Sequence, residues 1–235
     1  MMKGIIEARQ LSTGYGKKIV LKDQNIVIPK NKITVILGPN GCGKSTMLKT
    51  MARVLPLKDG KIILDGKDLK TMKTAEIAQK IGFLSQILNT PEGISVYELV
   101  SYGRYPYKRI SSTKEDQKII EWALKETQTF EIKDMLVHDL SGGQKQRVWI
   151  AMVLAQQTNT ILLDEPTTYL DIGHQLEVLE LLSKLNKEEQ QTIVMVLHDI
   201  NHASRYSDWI IAMKEGKVFK AVSYTHLRAH ETLSD

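Results

Sequence analysis

A glycine-rich segment with a lysine and a serine carries the clearest chemistry in the sequence. Gly38-Pro39-Asn40-Gly41-Cys42-Gly43-Lys44-Ser45 matches the pattern G-x-x-x-x-G-K-[ST]. A strand-like apolar run, Ile33–Leu37, precedes it and a helical pattern at 44–52 follows it, as the pattern requires. In this context backbone N–H groups point at phosphate oxygens, Lys44 reaches the β- and γ-phosphates, and Ser45 binds Mg²⁺. The segment predicts a phosphate-binding loop, and a plain glycine turn is the weaker interpretation.

Two acidic residues stand at the end of a second apolar run. Ile161-Leu162-Leu163-Asp164-Glu165 has the pattern of a strand that ends in two carboxylates. Because the carboxyl ends of parallel strands face the ligand crevice, we expect Asp164 to hold the Mg²⁺ shell and Glu165 to polarise the attacking water. Acids cap many strands, so the pair alone is weak evidence. Together with the phosphate loop, it predicts nucleotide hydrolysis.

A third motif, Leu140-Ser141-Gly142-Gly143-Gln144, opens a predicted helix. Ser141 takes an N-cap position, and the two glycines expose backbone N–H groups, which gives a second anion-binding helix start. Alone, Ser-Gly-Gly is more often a loop. In company with the two other motifs it resembles the signature of ABC cassettes, and the resemblance extends over residues 5–221.

The resemblance implies that two chains pack head to tail as a homodimer. Each ATP would lie between the Lys44 loop of one chain and the Ser141 helix of the other, so that ATP closes the dimer and hydrolysis releases it. The residues implied to bind nucleotide are Tyr15, Gly38, Pro39, Asn40, Gly41, Cys42, Gly43, Lys44, Ser45, Thr46, Ser141, Gly142, Gly143, Gln144 and Asp171. The implied catalytic residues are Glu165, His198, Gln86 and Lys44, and the implied Mg²⁺ ligands are Ser45, Gln86 and Asp164.

Several of these positions receive a role only from the resemblance. Tyr15 would stack on adenine, Gln86 would sense Mg²⁺ and link to the helical insertion, and His198 would contact the γ-phosphate. Leu170-Asp171 would cross the dimer interface, with Tyr169 where many relatives carry a small residue. Without the family, Tyr15 would be an exposed turn residue and His198 a structural histidine. The remaining histidines, His138, His174 and His202 among them, show no metal-ligand spacing and are interpreted as surface or packing residues.

The elements that must position these residues alternate between strand and helix. Strands are predicted at 160–163, 192–197 and 209–213, and helices at 176–187 and 200–206. This alternation favours an α/β fold with a mainly parallel core sheet and helices on both faces, which the resemblance sharpens to a P-loop NTPase of the ABC cassette type.

Two further parts of the fold are predicted around this sheet. The runs at 5–12 and 25–28, separated by a turn at Gly14-Tyr15-Gly16, favour a small antiparallel β-subdomain, and 61–64 adds a strand. Apolar residues at helical spacing between 87 and 140, at 96–102 and 119–124 above all, predict a helical subdomain over about 87–155.

Composition limits the class of protein. The 235 residues are 42% hydrophobic and 25% charged, which suits one globular ATP-binding domain at 1–221. The single cysteine excludes an internal disulfide framework. No apolar run is long enough to span a bilayer and no secretory signal begins the chain, so we expect a soluble cytoplasmic protein. The resemblance to ABC cassettes implies a bacterial protein at the cytoplasmic face of the membrane. The net charge of +5 forms no basic run, and no nucleic-acid partner is predicted.

Residues 222–235 continue neither structural period. Ser223-Tyr224-Thr225-His226-Leu227-Arg228-Ala229-His230-Glu231-Thr232 resembles a translated sequencing adaptor. The segment is interpreted as a non-native or disordered tail that replaces the natural carboxyl terminus, and a frayed polar tail is the alternative.

Cargo is inferred from a narrower resemblance, to cassettes of iron-siderophore importers. It rests on the segments 102–107, 144–152, 167–175 and 198–201. It implies two integral-membrane permease subunits and an extracellular lipoprotein or periplasmic protein that binds the substrate. Within the helical insertion, Gly103-Arg104-Tyr105-Pro106 is expected to face the permease.

Two groups of alternatives stay open beside siderophore import. The same cassette could serve haem, vitamin B12 or metal import. A non-transport ABC ATPase is a weaker alternative, since no sustained heptads separate the phosphate loop from the signature.

Cys42 raises a separate hypothesis. It lies close to a helix N-terminus, which favours the thiolate, so we expect a reactive thiol that bound Mg-ATP shields. A buried, inert cysteine is the alternative.

Overall fold

Seventeen helices and strands, together with four short 3₁₀ turns, make up the part of the chain that the computed structural model describes, residues 4–108, 110–168 and 170–223. In chain order they are β1 (Gly4–Tyr15), β2 (Lys18–Pro29), β3 (Ile33–Leu37), α1 (Lys44–Met51), β4 (Leu57–Leu64), β5 (Lys67–Asp68), α2 (Thr74–Ala78), β6 (Ile81–Leu84), α3 (Val96–Ser101), α4 (Thr113–Glu126), α5 (Gly142–Ala155), β7 (Thr160–Leu163), α6 (Ile172–Glu189), β8 (Thr192–Val196), α7 (Ile200–Tyr206), β9 (Trp209–Lys214) and β10 (Lys217–Ser223). Tyr169 and most of the expected tail, 224–235, lie outside the described residues.

A six-stranded sheet forms the centre, in the order β10-β9-β3-β8-β7-β6. The strands from β9 to β6 pair in parallel, and β10 pairs antiparallel with β9. Every residue of β7 and β8 is buried, as expected of strands covered on both faces. The prediction of an α/β fold with a mainly parallel core sheet is therefore confirmed. Because β3, β8 and β7 are neighbours, the residues that follow them emerge at one edge of the sheet.

A four-stranded antiparallel sheet, in the order β2-β1-β4-β5, confirms the second predicted sheet. The predicted turn is misplaced, because Gly14 and Tyr15 belong to β1 and pair with Ile19 and Lys18. A Cβ atom at Gly14 would lie 2.1 Å from the Lys18 carbonyl oxygen, so the glycine serves close strand approach.

The segment between the two halves of the sheet is helical, as predicted. Among its described residues the only β-pairing is an isolated bridge between Ser95 and Leu136. Ser95 and Glu98 form a capping box that fixes the start of α3, and the Ser112 side chain caps α4. Apolar residues of α3, α4 and α5 join the core cluster that also covers one face of the central sheet.

Arg104 does not face outward, which corrects the expectation for the segment Gly103-Arg104-Tyr105-Pro106. Its side chain is 6% exposed, its Nε lies 2.7 Å from Asp116 Oδ1, and its Nη1 donates to the Ala155 carbonyl at 2.9 Å. The guanidinium therefore joins a 3₁₀ turn to α4 and to the end of α5. Tyr102 and Tyr105 are the exposed members of this region, at 53% and 73%.

The carboxyl boundary also needs a correction. Val222 and Ser223, assigned to the tail from the sequence, pair with Ile210 and Trp209 as the end of β10. This edge strand was not predicted, because apolar and polar residues do not alternate regularly along it. Within the described residues, no helix has the length and apolar character needed to cross a membrane.

Candidate nucleotide site

The phosphate loop runs from the end of β3 to the start of α1. Gly43, at φ 102°, occupies the N-cap position of α1, and a Cβ atom there would lie 2.6 Å from Leu21 Cδ2. Glycine is therefore required both by the left-handed backbone and by the space. Lys44 is 4% exposed, and its Nζ donates to the carbonyl oxygens of Gly38 at 2.7 Å and Pro39 at 3.0 Å. The ammonium group is thus held inside the loop, where phosphate oxygens would replace the two carbonyls.

The turn between β9 and β10 supports the loop from behind. The Gly216 N–H donates to the Cys42 carbonyl at 3.1 Å. A Cβ atom at Gly38 would lie 2.2 Å from the Met213 carbonyl oxygen, so the chain passes this hairpin without room for a side chain. Backbone contacts therefore fix both ends of the glycine segment.

Cys42 turns away from the cleft. Its side chain is 4% exposed and packs within the core cluster under the antiparallel sheet. The expectation of an accessible thiol beside the nucleotide is wrong in this structure, and the buried alternative fits. A spacing pattern defines the backbone of the loop but not the direction of a side chain at one of its variable positions.

An open cleft of about 670 Å³ lies over the loop. The predicted residues that line it are Tyr15, Asn40, Gly41, Gly43, Lys44, Ser45, Thr46, Gln86, Glu165 and His198. The cleft also includes Lys18, Val20 and Thr168, which the sequence analysis missed. Lys18 and Val20 alternate along β2 next to Tyr15, a pattern that could have indicated them once Tyr15 was chosen. The fold thus gathers residues separated by about 180 positions into one cavity.

Glu165 is the centre of a polar network at the mouth of this cleft. Its Oε2 accepts hydrogen bonds from Gln86 Nε2 at 2.7 Å and from Thr168 Oγ1 at 3.0 Å, and its Oε1 lies 2.8 Å from His198 Nε2. The carboxylate follows β7 in a left-handed conformation, at φ 55°. These three partners hold the Glu165 carboxylate in a single orientation. A carboxylate that is to orient a water molecule must be held in this way. The roles expected of Gln86 toward Mg²⁺ and of His198 toward phosphate remain predictions.

Asp164 is a buried carboxylate with incomplete pairing. Its side chain has no exposure, and among the described residues neither Oδ atom has a hydrogen-bond partner. Burial raises the pKa of this carboxyl above its ordinary value, against the opposing influence of the Ser45 hydroxyl and then of the Lys49 ammonium, 4.0 Å from Oδ2. A carboxylate next to a hydroxyl is the oxygen set that Mg²⁺ prefers, so these residues fit the expected ion.

The signature motif lies outside the cleft of its own chain. Ser141 Oγ accepts from the Gln144 N–H at 3.3 Å, and Gln144 Oε1 accepts from the Ser141 N–H at 3.0 Å, which forms a capping box. Ser141 and Gly142 are exposed. No residue of the motif lines the cleft, so these predicted nucleotide-binding positions are not brought together with Lys44 in one chain.

Asp171 is likewise remote from the cleft lining. It caps the start of α6, where its Oδ1 accepts from the His174 N–H at 3.0 Å. Hydrogen bonds from the His174 backbone and then from its side chain lower the pKa of Asp171 below its ordinary value. The aspartate is therefore an anionic cap on an exposed helix start.

Comparison with known proteins decides the family. The family model described as ABC transporter matches residues 21–168. The chain belongs to the ABC transporter family. This match contains the phosphate loop, the signature motif and the acidic pair, so the cassette is an ATP-binding protein that hydrolyses ATP.

Curated relatives cover most of the cassette. The iron(3+)-hydroxamate import ATP-binding protein FhuC of Bacillus subtilis (strain 168) is 52% identical over 92% of this chain and 81% of FhuC. The ferric enterobactin transport ATP-binding protein FepC of Escherichia coli (strain K12) is 47% identical over 91% of this chain and 79% of FepC. Both names describe ATP-binding proteins, one for iron(3+)-hydroxamate import and the other for ferric enterobactin transport.

A solved structure confirms the cassette fold. The dimeric cassette MJ0796, in a post-hydrolysis state bound to ADP and Pi, has a TM-score of 0.83 and 31% identity, covering 93% of this chain and 98% of the other. The confirmed fold therefore includes the helical segment and the antiparallel sheet as well as the core.

Proposed function

We propose that this cassette energises the uptake of an iron–siderophore complex through a membrane importer. The observation that carries the proposal is the identity of 52% to a hydroxamate and 47% to an enterobactin import cassette over more than nine-tenths of the chain. The two named cargoes differ in the chemistry of the iron ligand. The proposal therefore specifies a class of cargo, ferric siderophores, and no single compound.

The working unit is a homodimer beneath two integral-membrane permease subunits, at the cytoplasmic face of the membrane. A lipoprotein or periplasmic protein outside the membrane delivers the cargo. In each chain Tyr15 stacks on adenine and Lys44 exchanges its two loop carbonyls for the β- and γ-phosphate oxygens. The Ser141 helix start of the opposite chain completes each site, since that motif is exposed and absent from its own cleft.

Hydrolysis requires a water, a base and charge neutralisation. Glu165 accepts a hydrogen bond from the attacking water, because the network of Gln86, Thr168 and His198 already fixes its carboxylate. His198 exchanges its contact with Glu165 for the γ-phosphate as the dimer closes. Ser45, Asp164 and Gln86 would hold Mg²⁺, which would neutralise negative charge on the phosphate groups.

Closure of the dimer must reach the permease through an exposed part of the cassette. Tyr102 and Tyr105 are exposed at one side of the helical segment, whereas Arg104 between them anchors that segment from within. The exposed tyrosines are therefore the residues of this turn that meet the permease, and Arg104 keeps the turn in place.

Uptake by a deletion strain tests the proposed cargo. Loss of the gene should abolish energy-dependent uptake of ⁵⁵Fe-labelled ferric siderophores, tested with one hydroxamate and one catecholate, and slow growth only under iron limitation. The intact gene should restore uptake, and a Lys44→Ala copy of equal abundance should not. A strain that imports every tested siderophore normally but loses haem or vitamin B12 uptake would overturn the cargo and keep the ATPase.

A further inference from the structure

Two helix starts meet at the surface that carries the signature motif. α5 begins after Ser141 and α6 begins after Asp171, and the side chain of His174 lies between them. The His174 Nδ1 is 2.6 Å from Asp171 Oδ2, and its backbone N–H donates to Asp171 Oδ1 at 3.0 Å. One carboxylate therefore fixes both the backbone and the ring of this histidine.

The opposite side of the ring rests on Gly143, in the first turn of α5. A Cβ atom at Gly143 would lie 2.7 Å from His174 Cδ2 and 2.9 Å from Cγ, well inside van der Waals contact. Gly143 is buried and lies within a regular helix, with no positive φ. The ring, and not the backbone conformation, is therefore what leaves no room for a side chain at this position.

We infer that His174 is a positioning residue for ATP-driven closure of two chains, an inference that rests on the proposed function. In the head-to-tail dimer, the Ser141 helix start and the Asp171 loop must reach the opposite chain at the same time. His174 contacts both, through Gly143 and through the carboxylate, and so sets the spacing between them. It does not line the cleft, so it acts without touching the ATP of its own chain.

Three substitutions separate the two contacts of the ring. His174→Asn keeps a donor near the position of Nδ1 and removes the ring, His174→Phe keeps a ring and removes the donor, and His174→Ala removes both. Each is introduced into the full chain that also carries Glu165→Gln, which retains ATP. Dimer formation is measured by gel filtration over a series of ATP concentrations, and binding to the monomer by the fluorescence of MANT-ATP.

The expected pattern is a loss of closure without a loss of binding. The ATP concentration for half-maximal dimer should rise on the order of tenfold for His174→Ala and less for the Asn and Phe variants, as for contacts that share a network. The MANT-ATP affinity should stay within about twofold of the parent, because the cleft is untouched. Gly143→Ala should also impair closure, and adding His174→Ala should partly restore it by removing the ring that the new methyl meets.

His202→Ala provides a matched control. His202 occupies the same place in α7, where its N–H donates to the capping Asp199 at 3.1 Å, yet the three atoms nearest a Cβ at Gly143 all belong to His174 and none to His202. Equal closure of the His174→Ala and His202→Ala variants would overturn the inference. Loss of MANT-ATP binding or a much lower melting temperature in His174→Ala would overturn it too, as a general structural role. Failure of the Glu165→Gln parent itself to dimerise with ATP would instead remove the proposed two-chain mechanism.

Discussion

The nucleotide cleft and the signature helix start differ in how many of the predicted site residues one chain brings together. In the cleft, the glycine loop, His198 and Glu165 follow the ends of three neighbouring strands of one chain. The ammonium of Lys44 is buried in the cleft, and the buried carboxylate of Asp164, the residue before Glu165, accepts no hydrogen bond from the described residues. The signature helix start is exposed, and its capping box satisfies Ser141 and Gln144 internally.

The difference has a physical origin. Burial of charge is unfavourable unless partners compensate it, and the Asp164 carboxylate has only the Lys49 ammonium at 4.0 Å, so the space beside it favours a bound cation. A helix N-terminus that is exposed to water and capped has little free-energy cost without a ligand. Its free N–H groups bind an anion only when one is brought next to them. In the proposed dimer, one chain therefore provides the cleft, and the second chain completes the site with its Ser141 helix start.

The largest expected effect separates chemistry from binding within the cleft. Glu165→Gln keeps the shape of the side chain but removes the acceptor charge, so turnover should fall about a hundredfold or more. ATP should still bind, and an ATP-bound dimer should accumulate on gel filtration. Turnover close to that of the wild type would remove Glu165 from the role of base.

The next expected effect concerns the buried carboxylate of Asp164. Asp164→Asn removes the buried negative charge with little change of shape, so the nucleotide-free protein should melt about 2 to 4 °C higher, the shift for ~1 kcal/mol in a domain of this size. The further stabilisation that MgCl₂ adds to ATP-bound protein should disappear. Differential scanning fluorimetry measures both, with Asp134→Asn, at an exposed aspartate, as the control. An unchanged response to MgCl₂ would argue against Asp164 as a ligand.

Ser141→Ala tests the exposed region. Loss of the cap should lower the free energy of unfolding by about 1 kcal/mol, the usual cost at an N-cap. Monomer binding of MANT-ATP should not change, whereas the ATP-driven dimer of the Glu165→Gln chain should weaken. If monomer binding fell as well, the contrast between a self-contained cleft and a shared signature helix would be wrong.

The smallest expected effect concerns Cys42. Because its thiol is buried, a maleimide should label the native protein far more slowly than the unfolded protein, at the same rate with and without Mg-ATP. Mass spectrometry after a timed reaction measures this. Protection by nucleotide would restore the hypothesis of a thiol that faces the cleft.

The sequence predicted best where one pattern fixes several residues together. The phosphate loop, the acids after β7 and the helix cap at Ser141 each combine a residue spacing with a flanking element, and all three lie where expected. Most helix and strand positions in the core followed from continuous apolar runs. These are backbone properties, which local sequence determines well.

Side-chain direction was harder to predict, because it depends on distant parts of the chain. Arg104 was expected to face a partner, but Asp116 and the Ala155 carbonyl draw it inward. Thr168 joined the site only through its hydrogen bond to Glu165. His174 was interpreted as a surface or packing residue, and its contact with Gly143 depends on a helix start 30 positions earlier in the chain. No local pattern contains such contacts.

The hairpin between β9 and β10 mechanically couples the edge of the central sheet to the phosphate loop. The Gly216 N–H donates to the Cys42 carbonyl, and the Met213 carbonyl oxygen lies against Gly38. A tilt of this hairpin by a fraction of an ångström would change the curvature of the phosphate loop itself.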